Sequence, residues 1–152
     1  VFPYETCNSD RYNLTNLADI RHLETGNISI ETALADHNET HPAFVITYLV
    51  DCGDDTGHIR FYFVGDSCDW EQLNPTEPVD IFVPHIRVGL KLFKVTEKIQ
   101  PCWVLASHLL ELGHEIGRYR WRYVSGLDAA YELYRKNVYV PVWGDMIVYK
   151  KL

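Results

Sequence analysis

The chain has 152 residues, a formal net charge of −7 and a sequence pI near 5.4. This length fits a single domain, and 47% hydrophobic with 23% charged residues excludes a disordered chain or a fibrous repeat. Because binding to phosphates needs a basic face, the acidic balance argues against nucleic acid as a partner. No apolar run approaches the roughly 18 residues of a membrane-spanning helix, and the first residues do not resemble a signal peptide, so we expect no membrane span.

Cysteine and asparagine positions leave the cellular compartment open. The chain has four cysteines, Cys7, Cys52, Cys68 and Cys102. No two of them form a CxxC pair that would suggest zinc, but their even number fits two disulfides in a secreted domain. Glycosylation sequons begin at Asn13, Asn27 and Asn38. We expect a secreted protein if the cysteines are paired and these sequons are used.

The amino-terminal part of the chain has the spacing of two short helices. Residues 13–26 start with a cap at Asn13 or Thr15, continue with leucine and isoleucine at helical spacing, and end on a glycine. Residues 29–40 repeat the pattern behind a Ser29 cap. Both segments are therefore predicted to be helical.

The middle of the chain has the composition of strands. Residues 43–52 and 58–65 are β-branched and aromatic runs joined by the turn sequence GDDTG, which predicts an antiparallel hairpin. Two prolines and several acidic residues predict a loop over residues 66–78. Residues 79–95 are predicted to be extended, as one bent strand or two, with an edge or bend at Pro84.

In the last third of the chain, the spacing of apolar residues changes from that of a strand to that of a helix. Over residues 101–117, leucine and isoleucine recur at intervals of three and four residues. This spacing predicts the main helix of the chain, which ends near residue 116. Residues 118–124 alternate arginine with tyrosine and tryptophan and are predicted to be a strand. A second helix over residues 125–137 and a closing hairpin over residues 138–152 complete the predicted order.

This order over residues 90–152 resembles the carboxy-terminal half of the GNAT acyltransferase superfamily. The stretch AAYELYRKNVY, residues 129–139, is similar to that family's A-x-x-L-Y-x-K-x-G-F stretch, and MIVYKKL, residues 146–152, is similar to its final strand. The resemblance implies an α+β single domain with a mixed, mostly antiparallel sheet and three to four helices. It also implies a cytoplasmic protein.

The resemblance further implies a site for acetyl-CoA. Family members hold the pyrophosphate on the N–H groups of a helix that follows a central strand. The corresponding residues here are Gln100, Cys102, Trp103 and Val104. Tyr134 matches the tyrosine that can protonate the departing thiolate, and Glu97 could activate an amine through water. The implied function is acyl-CoA-dependent N-acyl transfer to an amine or protein acceptor, in an active or a catalytically degenerate member.

A second hypothesis is a secreted or virus-derived protein-binding module without enzymatic activity. It rests on the sequons, the even cysteine count and the ten tyrosines and four tryptophans, which suit recognition surfaces. His108 and His114 lack the spacing of a helical zinc motif, so no metal is expected. An acyltransferase-like fold used only for protein contact is a third hypothesis, because a fold does not fix a function.

Overall fold

The computed structural model describes residues 22–38, 41–67, 69–85, 92–107, 137–139 and 145–149. These residues form one mixed sheet of seven strands, which lie side by side in chain order. Its elements are β1 His22–Thr25, β2 Ile28–Asn38, β3 His41–Asp54, β4 Gly57–Phe63, β5 Ile81–Val83, α1 Leu92–Ile99, β6 Trp103–Leu105 and β7 Val138–Tyr139.

The first four strands form an antiparallel meander. Its central register places Val50 of β3 opposite both Ile30 of β2 and Phe61 of β4. The turn between β3 and β4 is fixed by Asp54, whose Oδ1 accepts a hydrogen bond of 2.8 Å from the Thr56 N–H. β-branched and aromatic residues dominate residues 44–50 of β3 and 59–63 of β4, as expected for paired strands.

The remaining strands pair in parallel, β5 on β4, β6 on β5 and β7 on β6. A parallel neighbour requires the chain to return across a face of the sheet before the next strand begins. The segment 64–80 makes this return between β4 and β5, and α1 lies in the return between β5 and β6. Both contribute to the same hydrophobic core, so they lie on the same face.

We call this the covered face and define it by its strand side chains Leu49, Tyr62, Phe82 and Val104. Leu73 of the connecting segment and Val95 of α1 pack against them, and both are fully buried. The rings of Tyr62 and Phe82 lie 6.1 Å apart in a stacked arrangement. Full burial of one such side chain contributes about 1.5–3 kcal/mol, so these contacts stabilise the described fold.

Polar contacts hold the connecting segment in place. The Lys98 ammonium donates to the Glu71 carbonyl over 2.9 Å, and Lys94 and Lys98 lie 5.1 and 5.8 Å from the Trp70 ring centroid. The Gln72 amide donates to the Asp36 carboxylate and accepts from the Asp36 N–H. The segment is therefore tied both to α1 and to β2.

The predicted α+β class with three to four helices is wrong. The described residues are mostly strand, with one helix of eight residues. Residues 29–40 were predicted to be helical, but β2 runs through them and pairs with β1 and β3. Apolar residues at 28, 30 and 34 also fit a period of two, and pairing on both sides outweighs the local cap signal. Strand β1 replaces the end of the predicted helix over residues 13–26, the rest of which lies outside the described residues.

Two further assignments are corrected around α1. Residues 79–95 were predicted to be extended, yet their described strand is only Ile81–Val83, and α1 begins at Leu92. Val95 and Ile99 lie one helical turn apart, and both contact the core. A helix was predicted to start at residue 101, but the structure has strand β6 there, paired with β5 on one side and β7 on the other. Its remainder from residue 108 lies outside the described residues.

The hairpin over residues 43–52 and 58–65 and the loop over residues 66–78 are confirmed. The predicted strand 118–124 and nearly all of the predicted helix 125–137 lie outside the described residues. Of the predicted closing hairpin, β7 is a strand and residues 145–149 have no regular structure.

Replacing Gly65 tests the turn that starts the first return. Gly65 has a φ of +52°, and an added Cβ would lie 2.9 Å from Cγ1 of Val45. We expect Gly65→Ala to lower the free energy of unfolding by at least about 1–2 kcal/mol, because a side chain disfavours the left-handed region. Urea denaturation measures this.

Gly57→Ala is the matched control, because a Cβ there meets no atom within 4 Å and φ is not positive. We expect this control to change the free energy of unfolding by less than about 0.5 kcal/mol. Equal losses in the two variants would contradict the assigned turn.

Candidate functional site

The face of the sheet opposite α1 carries a second set of apolar side chains. Successive side chains of a strand point to opposite faces, so the residues that alternate with the covered face share this one. We call it the open face and define it by Ile28, Leu34, Val50, Phe61, Phe63 and Trp103.

The open face is accessible to solvent at large apolar side chains. Leu34 is 51% exposed, Ile28 39%, Trp103 37% and Phe63 36%. The rings of Phe61 and Phe63 stack with centroids 6.1 Å apart. Ile81 and Val83, which pair with these larger side chains on the same face, are buried. The exposure is therefore concentrated on β2, β4 and β6.

The open face is also the more apolar of the two faces along β3 and β4. Thr47, Asp51 and Arg60 lie on the covered side, whereas Tyr48 and Val50 of β3 alternate with them. An antiparallel sheet with one solvated face normally presents polar side chains to water. An exposed apolar face of this kind typically marks a contact site for another molecule.

A charged network lies on the covered side, at the end of the sheet where β4 begins. The Asp51 carboxylate lies 2.9 Å from Nδ1 of His58 and accepts a 2.9 Å hydrogen bond from Nε of Arg60. Burial raises the pKa of Asp51, but the hydrogen bonds from His58 and Arg60 outweigh it and lower that pKa below its usual range. The Arg60 N–H donates to Oδ2 of the buried Asp80 over 2.8 Å.

Asp80 connects this network to Cys102 and Tyr149. Partial burial, followed by the neighbouring Cys102 and Asp80, raises the pKa of Tyr149 to about 12. The Tyr149 hydroxyl hydrogen-bonds with both residues. The carbonyl of Asp80 also accepts from the Trp103 N–H over 2.9 Å, so the cluster joins β4, β6 and the segment 145–149. The contacts of this cluster stabilise the ends of β4 and β6.

The carboxyl ends of β4, β5 and β6 bring Asp66, His85 and Ser107 together. Open sheets with parallel strands usually bind ligands at this edge. His85 is 3% exposed, and its Nε2 lies 3.5 Å from Oδ1 of Asp66. Ser107 lies beside His85 on the next strand, but its hydroxyl donates over 2.7 Å to the Pro84 carbonyl. That hydrogen bond joins two strand ends and does not prepare the hydroxyl to attack a substrate.

The residues expected to bind acetyl-CoA follow the carboxyl end of a helix, whereas the family places them at a helix amino terminus. Gln100 ends α1 with a φ of 50° and donates its N–H to the Thr96 carbonyl, so a helix carboxyl terminus lies here. The Trp103 and Val104 N–H groups donate to the carbonyls of Asp80 and Asn137. The chain order is thus helix, turn, strand. The amino-terminal helix end that would attract a pyrophosphate is not at this position.

The other predicted site residues are not brought together. Cys102 is exposed before β6, Val104 is fully buried, and Glu97 is exposed on α1. Tyr134 lies outside the described residues. A joint acid and base role for Glu97 and Tyr134 stays a prediction.

The described residues also bear on the disulfide and glycosylation expectations. Cys52 and Cys102 are free thiols, so neither belongs to the two-disulfide framework, whereas Cys7 and Cys68 lie outside the described residues. The sequon residue Asn27 is exposed in the turn between β1 and β2.

No group of three or more potential metal-ligating side chains is found within the described ranges. Over the same ranges, no helix has the length and apolar character needed to cross a membrane.

Comparison with known proteins adds no relative. No protein-family model matches the sequence, and neither the curated proteins nor the solved structures give a match. Function must therefore be inferred from the described residues alone.

The alkaline stability of the fold tests the Tyr149 cluster. A pKa raised from 10.0 to about 12 favours the neutral phenol in the folded chain. Its stabilisation is fully present below pH 10, falls as pH rises from 10, and is lost by about pH 12. We expect Tyr149→Phe to remove this part of the decline in unfolding free energy, measured by urea denaturation at several pH values. An identical decline in the variant and the parent would contradict the cluster.

Proposed function

We propose that this chain is a protein-binding module whose open face docks onto an apolar surface of another protein. The observation that carries the proposal is the exposure of Leu34, Phe63 and Trp103 on the same face of one sheet. Aromatic and large aliphatic side chains of this kind form the centres of protein interfaces.

The energetics favour contact with a partner over contact with water. Burying apolar surface contributes roughly 25 cal/mol per Å², and the half-buried side chains of Val50 and Phe61 surround the exposed ones. These neighbours exclude water from the centre of a contact. A sheet also presents this surface rigidly, so few side chains lose freedom on binding.

Acyl transfer stays a prediction from the sequence, and two observations count against proposing it. The expected α+β fold is contradicted, and the expected pyrophosphate site lies at the carboxyl end of α1. We expect calorimetric titration with acetyl-CoA at millimolar concentration to give no heat of binding. A saturable heat would favour acyl transfer over the binding module.

A neutral amphipathic peptide is a direct probe of the binding proposal. A helix of about 18 leucine and glutamine residues is roughly 27 Å long. Four strand spacings from β2 to β6 are roughly 19 Å, so the helix can span the open face. We expect saturable binding in a fluorescence anisotropy titration of the labelled peptide.

Leu34→Ser and Phe63→Ser are expected to weaken this binding at least fivefold, because each removes an exposed apolar contact. Glu77→Ser, at an exposed position of the segment that crosses the covered face, is the control and should bind like the parent. Thermal denaturation confirms that each variant is folded. No binding, or equal affinity in all variants, would reject the open face as the docking site.

A further inference from the structure

Among the described residues, the charges around the open face are distributed asymmetrically. Asp54 and Asp55 are exposed at the hairpin turn at one end of the sheet, and Asp66 is 49% exposed at the opposite end of β4. At the β7 edge, Asp145 accepts a hydrogen bond from the Tyr139 hydroxyl. Carboxylates therefore occur on three sides of the open face.

The acidic side chain at the hairpin turn is charged at neutral pH. Hydrogen bonds from the side chain and the backbone of Thr56 lower the pKa of Asp54 below its usual range. The turn that carries it projects from the sheet end next to Cys52 and Ile59.

The lysines and arginines of the described ranges lie on the other side of the sheet. Arg60 pairs with Asp51 on the covered side, and Lys94 and Lys98 of α1 lie over Trp70. Within the described residues, the open face thus combines an apolar centre with acidic ends and has no lysine or arginine of its own.

We infer that the open face takes an amphipathic protein segment whose apolar stripe is flanked by lysine or arginine. This inference rests on the proposed function and specifies the partner. The apolar stripe would bury Leu34, Phe63 and Trp103, and the flanking cations would meet the carboxylates at the sheet ends. Complementary charge at the rim of an interface selects partners and raises the association rate.

The exposed aromatic rings favour the same chemistry. Lysine and arginine side chains bind to the faces of aromatic rings, with tryptophan the strongest partner. Trp103 and Phe63 present such rings on the open face, and the pair formed by Lys94 with Trp70 shows this contact on the other side of the sheet.

A second copy of the chain fits the open face less well. Two copies packed face to face would bring together two acidic rims in a protein whose net charge is −7. Like charges placed across an interface oppose association. The charge distribution therefore favours a basic partner over a homodimer.

Three peptides of equal length and equal leucine pattern test this inference, with lysine, glutamine or glutamate at the polar positions. We expect the lysine peptide to bind the parent protein at least tenfold more tightly than the glutamine peptide, and the glutamate peptide at least tenfold more weakly. Raising the salt concentration to about 1 M, where the Debye length is about 3 Å, should remove most of the difference.

A pair of variants shows where the lysine peptide meets negative charge. Asp55→Asn removes an exposed carboxylate at the hairpin turn, and the matched control Glu77→Gln removes one from the segment that crosses the covered face. Asp55→Asn should reduce the advantage of the lysine peptide at least twofold and leave the affinity of the glutamine peptide unchanged. Glu77→Gln should alter neither affinity.

The outcomes separate the two proposals. If the glutamine peptide binds at the open face and the lysine peptide binds no more tightly, the charge inference is overturned and the binding module stands. If none of the peptides binds, the proposed function fails. A parent protein that sediments as a dimer, with Leu34→Ser restoring the monomer, would overturn the basic partner in favour of a second copy.

Discussion

The parallel pairing of β5 with β4 is the constraint on which the rest of the described structure depends. A strand that runs parallel to its predecessor can begin only after the chain has crossed the sheet, and the segment 64–80 makes that crossing over one face. The next return, through α1, packs on the same face. Leu73 and Val95 therefore complete a core with Phe82, and both of these described returns lie on the covered face.

Among the described residues, both returns pack on the covered side, and this arrangement is the basis of the binding proposal. The covered side contains the charged pairs of Asp51 with His58 and Arg60, and these pairs hold strand ends in place. The open face keeps large apolar side chains in contact with water, which is unfavourable for an isolated sheet and favourable for a contact surface. The binding proposal rests on where these returns lie, whereas the acyl-transfer expectation depended on a helix start that the turn at Gln100 replaces.

The sequence predicts the parts of the fold that local chemistry determines. The hairpin of β3 and β4 is predictable because β-branched and aromatic runs flank an Asp and Gly turn. Strand β2 is not, because a Ser29 cap and spaced apolar residues also fit a helix, and pairing with two neighbours decides the outcome. The end of α1 cannot be predicted from the sequence, because Gln100 takes a left-handed φ at a position where helices usually have glycine. The open face cannot be predicted from one strand, since it requires the register of several.

The most direct test of one-sided covering is the solvent accessibility of individual methyl groups. In a protein labelled at isoleucine, leucine and valine methyls, a soluble paramagnetic gadolinium chelate broadens the signals of methyls that solvent reaches. The one-sided fold predicts strong broadening for Leu34 and Ile28 of the open face and little for Leu73 and Val95 of the covered core. Equal protection of Leu34 and Leu73 would contradict it.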